Sequence, residues 1–245
     1  MYPMLGLFIR AGSGHFPRGP ALSGNVRGLL WISGWELLFF AIVFAFACLI
    51  SRASPDQLML RWRPGRWVIP LGLAYSVALR LGIVVVAAMV MIVLTASQVV
   101  TAETARDYIT ANRPDVDVLV SVPAMRHNPA YYWLTLTLIS FVVAGLREEL
   151  WRAGTLAAMR AIWPRAFGSV AGQCGAVIII AVAFGALHLN MGVLAAAAAG
   201  VLGVLLGLIM VFHKSIWPAV IAHGAFDATT MALLPWWLEH GNSFR

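Results

Sequence analysis

Long apolar runs separated by short polar connections set the pattern of this chain. About 20 apolar residues cross the hydrocarbon core of a bilayer as one helix. Leu29 to Ile50 is the first such run, and Ser51-Arg52 closes it. After the basic connection "SPDQLMLRWRPGRW", Trp67 to about Ala96 forms the second, long enough to tilt or to begin at the interface. Residues 97–130 are the one long polar stretch, with four acidic and three arginine side chains. A third helix is predicted from near Tyr131, with no helix breaker before Pro164. Between Ala166 and Phe212 the one side chain that ionises near neutral pH is His188, so two spans with a turn near "HLNMG" are predicted there. A last helix is predicted from about Ser215 to Trp237, where "WW" marks an interface.

The pattern therefore predicts an all-α fold, a polytopic transmembrane helical bundle of about six spanning helices, or seven if the second is broken. It divides into a tail over 1–28, two helices and a polar loop over 29–130, a helical core over 131–237 and a tail over 238–245.

Composition agrees with the pattern. Of 245 residues, 61% are hydrophobic and 11% charged, roughly half the charge fraction of a soluble domain. The net charge of +7 comes mostly from arginines outside the spans, and no nucleic-acid motif accompanies it. It reads as membrane topology, so nucleic acid is not expected as a partner and the lipid bilayer is. Arginines in 52–66, with Arg160, Arg165 and Lys214, suit the cytoplasmic side, and the acidic 97–130 loop suits the outside. Arg10, Arg18 and Arg27 in the N-terminal tail oppose that orientation. Cys48 and Cys174 both fall in apolar runs, without the spacing of a disulfide framework or metal site. The first thirty residues lack a compact apolar core followed by a small-residue cleavage site, so no cleaved signal peptide is expected. The expected location is an integral, multi-pass one, in the cell membrane if the source is a bacterium.

Three polar sets interrupt the later spans: "REELWRAG", "FGALHLN" and "HGAFD". Each carries a pair at i, i+4, which places two side chains on one helix face. Glu148 stands one turn before Arg152, Phe184 before His188, and His223 before Asp227. Ionisable groups at membrane depth are costly and mark functional sites. Singly, each set reads as well as a structural hydrogen bond or an interface ion pair. Two glutamates, two histidines and an aspartate on three spans exceed what packing requires. Counting 1.5 Å per residue, Glu148 lies ~24 Å from Pro164, and His188 lies ~24 to 29 Å from the same turn. His223 lies only ~12 Å beyond Ser215, so the intervening helix is expected to be short, tilted or irregular. The small-residue run from Gly192 to Gly207, with Gly203 and Gly207 in a GxxxG, permits close packing. Glu36 and Arg80, without partners at helical spacing, are expected to pair with each other or lie near an interface, outside the site. Asn190 belongs to the expected turn.

As a set, the three motifs resemble those of the CAAX prenyl protease type II and bacteriocin-processing (CPBP) family of intramembrane proteases. That family's pattern is EExxxR on one span, FxxxH on the next and HxxxN or HxxxD on a later one. The matching residues are Glu148 and Glu149, then Phe184 and His188, then His223 and Asp227. "SIWPAVIAHGAFD" also resembles the approach to the last motif, and the likeness covers about residues 131–235. One departure is plain: the family arginine falls at Ala153, whereas this chain has Arg152. Arg152 is still i+3 from Glu149 and i+4 from Glu148, within pairing reach of either.

The resemblance implies hydrolysis of a peptide bond in a membrane-associated peptide or protein, by activated water and without a covalent enzyme intermediate. The residue chemistry fits. Glu148, withdrawn from bulk water, is placed to act as general base, with His188 holding the water. His223 is placed to stabilise the oxyanion, oriented by Asp227. Adjacent helical residues diverge by about 100°, so Glu149 is expected to face away from Glu148's target and to pair with Arg152. Phe184 and Arg152 are supporting residues. Zinc held by Glu148, His188 and His223 is the alternative, since two histidines and a carboxylate can form a catalytic zinc set. The absence of HExxH and the order of carboxylates before histidines favour the reading without a cofactor. A non-enzymatic, bacteriocin-immunity-type membrane protein with the same fold is the other alternative. A proton-coupled transporter is weakened by the lack of a repeated half with interrupted helices.

Overall fold

The computed structural model describes residues 23–111 and 119–240. Arg10 and Arg18 of the tail, and Arg113, Asp115 and Asp117 of the polar loop, lie outside the described residues. The regular structure of the described chain is helical, with no strand among those residues. Helix α1 is Val26–Ser51, started by Asn25, whose Oδ1 accepts from Gly28 N at 2.8 Å. After a short 3₁₀ turn, α2 runs over Val68–Ala96 without a break, so the seventh span does not arise. The polar stretch carries two short helices, α3 (Ala102–Ala111) and α4 (Val122–His127).

The third long helix is one continuous rod. It comprises α5 (Pro129–Leu134), a segment of i→i+5 hydrogen bonding over Thr135–Leu146, and α6 (Arg147–Ile162). Pro164 stops it as expected, and the four-residue α7 (Pro164–Phe167) follows. Then come α8 (Val170–Ala186), capped by Ser169 Oγ, α9 (Val193–His213) and α10 (Trp217–His240). The turn between α8 and α9 falls on "HLNMG": a 3₁₀ turn over Leu189–Met191 and then Gly192 at φ +103, a backbone state that suits glycine.

Among the described residues, four helices are long and apolar enough to cross a membrane: Val26–Ser51, Gly65–Ala96, Pro129–Ile162 and Val193–His213. Helix α8 is apolar and shorter, at 17 residues, and α10 carries the third motif. Large apolar side chains on α1 and α2 point outward, such as Trp31 at 67% and Leu49 at 76% exposure. Water would not tolerate such faces on a monomer; lipid does. The protein is an integral, multi-pass membrane protein.

The basic connections meet at one end of the bundle. Ile216 N donates to Met59 O at 2.9 Å, Ser215 Oγ to Arg61 O at 2.8 Å and Trp217 Nε1 to Leu60 O at 2.8 Å. From the same end Arg160 reaches Gln57 O at 3.4 Å. These contacts answer the depth question for His223. Ser215 and Ile216 are fully buried beneath the loop after α1, so α10 begins well inside the bundle. From Trp217, His223 needs only ~9 Å of helix, whereas Glu149 lies ~20 Å from Ile162. The intervening α9 keeps its full 21 residues.

Candidate active site

Glycines let two helices close on each other where the first and third motifs meet. A Cβ on Gly145 would stand 3.0 Å from Val220 O, and one on Gly224 would stand 2.3 Å from the Phe141 ring. The rod and α10 therefore approach almost backbone to backbone, one turn before Glu149 and beside His223. The wider turns that precede Arg147 displace the register from that of a regular α-helix.

His223 is the hub. Its Nδ1 lies 3.1 Å from Oε1 of Glu149, while Nε2 faces Glu148 Oε2 at 3.8 Å and Asp227 Oδ2 at 3.6 Å. The two glutamates flank one imidazole. This corrects the expectation that Glu149 faces elsewhere: their backbones diverge, but the side chains reach opposite edges of the ring. Asp227, expected one turn from His223, stands on the same side of the ring as Glu148, and the group that meets the other nitrogen is Glu149.

Glu149 and Arg152 are fully buried and form an ion pair, as the i, i+3 spacing suggested. The Arg152 guanidinium lies 4.9 Å from the Phe184 ring centroid, a cation–π contact. The Phe184 carbonyl in turn accepts from His188 Nδ1 at 2.8 Å. A carbonyl can only accept, so Nδ1 carries a proton in this contact. His188, half-buried at the end of α8, lies within electrostatic reach of Asp227. Motif residues from three helices are thus wired together: Phe184 to Arg152, Arg152 to Glu149, and Glu149 to His223. Arg152 occupies the pairing role that the departure at Ala153 left open.

Two charges expected to stand apart are drawn in. Glu36 pairs with Arg147, and Arg147 Nη2 donates to Glu148 Oε1 at 3.1 Å. Arg80 donates to the Phe226 carbonyl and the Thr229 hydroxyl, reaches Thr230 Oγ1 at 3.2 Å and lies 4.4 Å from the Phe226 ring centroid. Those residues bracket Asp227, and Arg80 is within electrostatic reach of it. The signal available in sequence was the cost of an unpaired charge in a span, which demands a partner without saying which.

Among the described residues, no three His, Cys, Asp or Glu side chains are arranged as a metal-holding group. Of the set that zinc would need, Glu148 and His223 come together, and His188 is not grouped with them.

Two glutamates, a histidine and an aspartate meet inside this helical membrane protein, on motifs that resemble those of the CAAX/CPBP proteases. Comparison with known proteins agrees: residues 130–229 match the family described as type II CAAX prenyl endopeptidase Rce1-like. That stretch holds all three motifs and supports placement in the CAAX/CPBP protease family; residues 1–129 lie outside it. No curated protein and no solved structure matches the chain.

Proposed function

We propose that this protein is an intramembrane endopeptidase in which Glu148 and His188 activate water to hydrolyse a peptide bond. The observation that carries the reading is the facing pair of Glu148 Oε2 and His223 Nε2, 3.8 Å apart, with a different group holding each residue from behind. Arg147 holds Oε1 of Glu148 and Glu149 holds Nδ1 of His223, so both reactive atoms are aimed at one place.

In the proposed reaction, Glu148 takes a proton from water while His188 Nε2 accepts a hydrogen bond from the same molecule. The water oxygen forms a bond to the carbonyl carbon. His223 donates from Nε2 to the resulting oxyanion, which requires a proton on both ring nitrogens; Glu149 and Asp227 supply the counter-charge while Glu148 holds the proton. Glu148 then passes its proton to the amide nitrogen, the C–N bond breaks, and an amine and a carboxylic acid leave. General-base catalysis of this kind contributes ~10² to 10⁴-fold.

The family's description makes a prenylated peptide ending in C-a-a-X the first substrate to try. The test is cleavage of an internally quenched, farnesylated C-a-a-X peptide by the purified protein in detergent or liposomes. Wild type should cleave it and Glu148→Gln should not. Equal turnover by the two would overturn the reading.

A further inference from the structure

Glu36 sits in α1, outside the family-matched residues and one helix away from all three motifs. Helix α1 buries little of itself: Leu29 and Ser33 are its fully buried residues, and Glu36 continues that face at the next turn. Most of its remaining side chains are apolar and exposed, toward lipid. On so sparsely packed a helix, a carboxylate at membrane depth is costly unless it is paired.

Its partner is the guanidinium that also holds Glu148. Arg147 Nη1 pairs with Glu36 Oε1, and Nη2 bonds to Glu148 Oε1 at 3.1 Å. The three side chains are 18%, 14% and 19% exposed, so all three are mostly withdrawn from solvent. A guanidinium prefers to grip one carboxylate with two nitrogens. Here one nitrogen goes to each carboxylate, and the second oxygen of Glu148 is left facing His223. We propose that Glu36 is a positioning residue for Glu148, acting through Arg147: by holding one arm of the guanidinium, it keeps Arg147 from closing on both oxygens of the general base. The first helix thereby becomes part of the catalytic apparatus. This rests on the peptidase reading above.

Two measurements on the full-length protein test it. The first is kinetic, on the farnesylated quenched peptide, with Glu148→Gln as the control for the peptidase reading. Glu36→Gln should lower kcat by about tenfold or more while KM stays within about twofold, the pattern of a misaligned base. Glu36→Asp, which keeps the charge, should recover most of the loss. Wild-type kcat in a folded Glu36→Gln protein, or equal losses in the Gln and Asp variants, would overturn the proposal. The second measurement does not need turnover: modification of Glu36 and Glu148 by dicyclohexylcarbodiimide in membranes, quantified by peptide mass. Arg147→Gln leaves both carboxylates without their shared cation, so both should be labelled several times more than in wild type. Unchanged labelling of either residue would overturn the shared cation. If Glu148→Gln cleaves as wild type does, the peptidase reading falls, and the labelling still decides whether the three-residue relay exists.

Discussion

Glu149 and His223 are 74 residues apart in the chain and 3.1 Å apart in the fold, carboxylate oxygen to ring nitrogen. This contact joins the first motif to the third and fixes which edge of the imidazole points at Glu148. In the proposed mechanism Glu149 is an orienting residue as well as the counter-charge for Arg152.

Replacing Glu149 should therefore harm both fold and activity. Glu149→Gln leaves a fully buried arginine without its counter-charge, which costs about 3–5 kcal/mol. Thermal unfolding in detergent should show a clear drop. Adding Arg152→Met should restore much of the stability, since it removes the stranded charge, yet peptide cleavage should stay low because His223 has lost its holder. Recovery of cleavage in the double variant would show that Glu149 serves Arg152 alone.

Glu148→Gln should do the opposite. The amide is nearly isosteric and Arg147 keeps Glu36 as an ion-pair partner, so the unfolding temperature should hardly move. Hydrolysis should fall by ~10²-fold or more, the contribution of a positioned base. If cells carrying Glu148→Gln keep the protein's full biological effect, the immunity-type reading gains instead.

Asp227 shares the Nε2 side of His223 with Glu148, at 3.6 Å. The motif it resembles accepts asparagine or aspartate at this position. Asp227→Asn should thus keep cleavage within about tenfold of wild type, whereas Asp227→Leu should lose it, since the leucine cannot hydrogen-bond at the reactive edge. A fully inactive Asn variant would assign the carboxylate a proton-transfer role of its own.

Metal dependence has a direct measurement. Dialysis against a strong chelator should leave peptide cleavage largely intact if His188 and His223 serve water and oxyanion. Stoichiometric zinc in the purified protein, with turnover lost on chelation and restored by metal, would reverse that choice.

The close approach of the rod and α10 can be probed by size. Gly145→Val places a side chain against the Val220 carbonyl and should cost about 1–3 kcal/mol as well as cleavage. Gly34→Ala in α1 is the control: nothing lies within 4 Å of its added Cβ, so stability should hold or rise slightly. An inert Gly145→Val would mean that the two helices have room to spare.

The apolar runs by themselves determined the helices, because in lipid every backbone group must be bonded within the segment. Length, Pro164, the "HLNMG" turn and the tryptophans located their ends to within a few residues. The i, i+4 spacing within each motif is also local, so the Glu, His and Asp residues could be chosen from sequence. Partnership between helices is another matter. Whether Arg147 bonds Glu36, whether Arg80 lies on Phe226, and which nitrogen of His223 meets which carboxylate depend on helix rotation and depth. The i→i+5 turns before Arg147 alter the rotation, and the buried Ser215-Ile216 connection alters the depth. Neither has a periodic signature. Glu149 faces His223 because Gly145 and Gly224 let two backbones approach, a contact that exists only once both helices are in place.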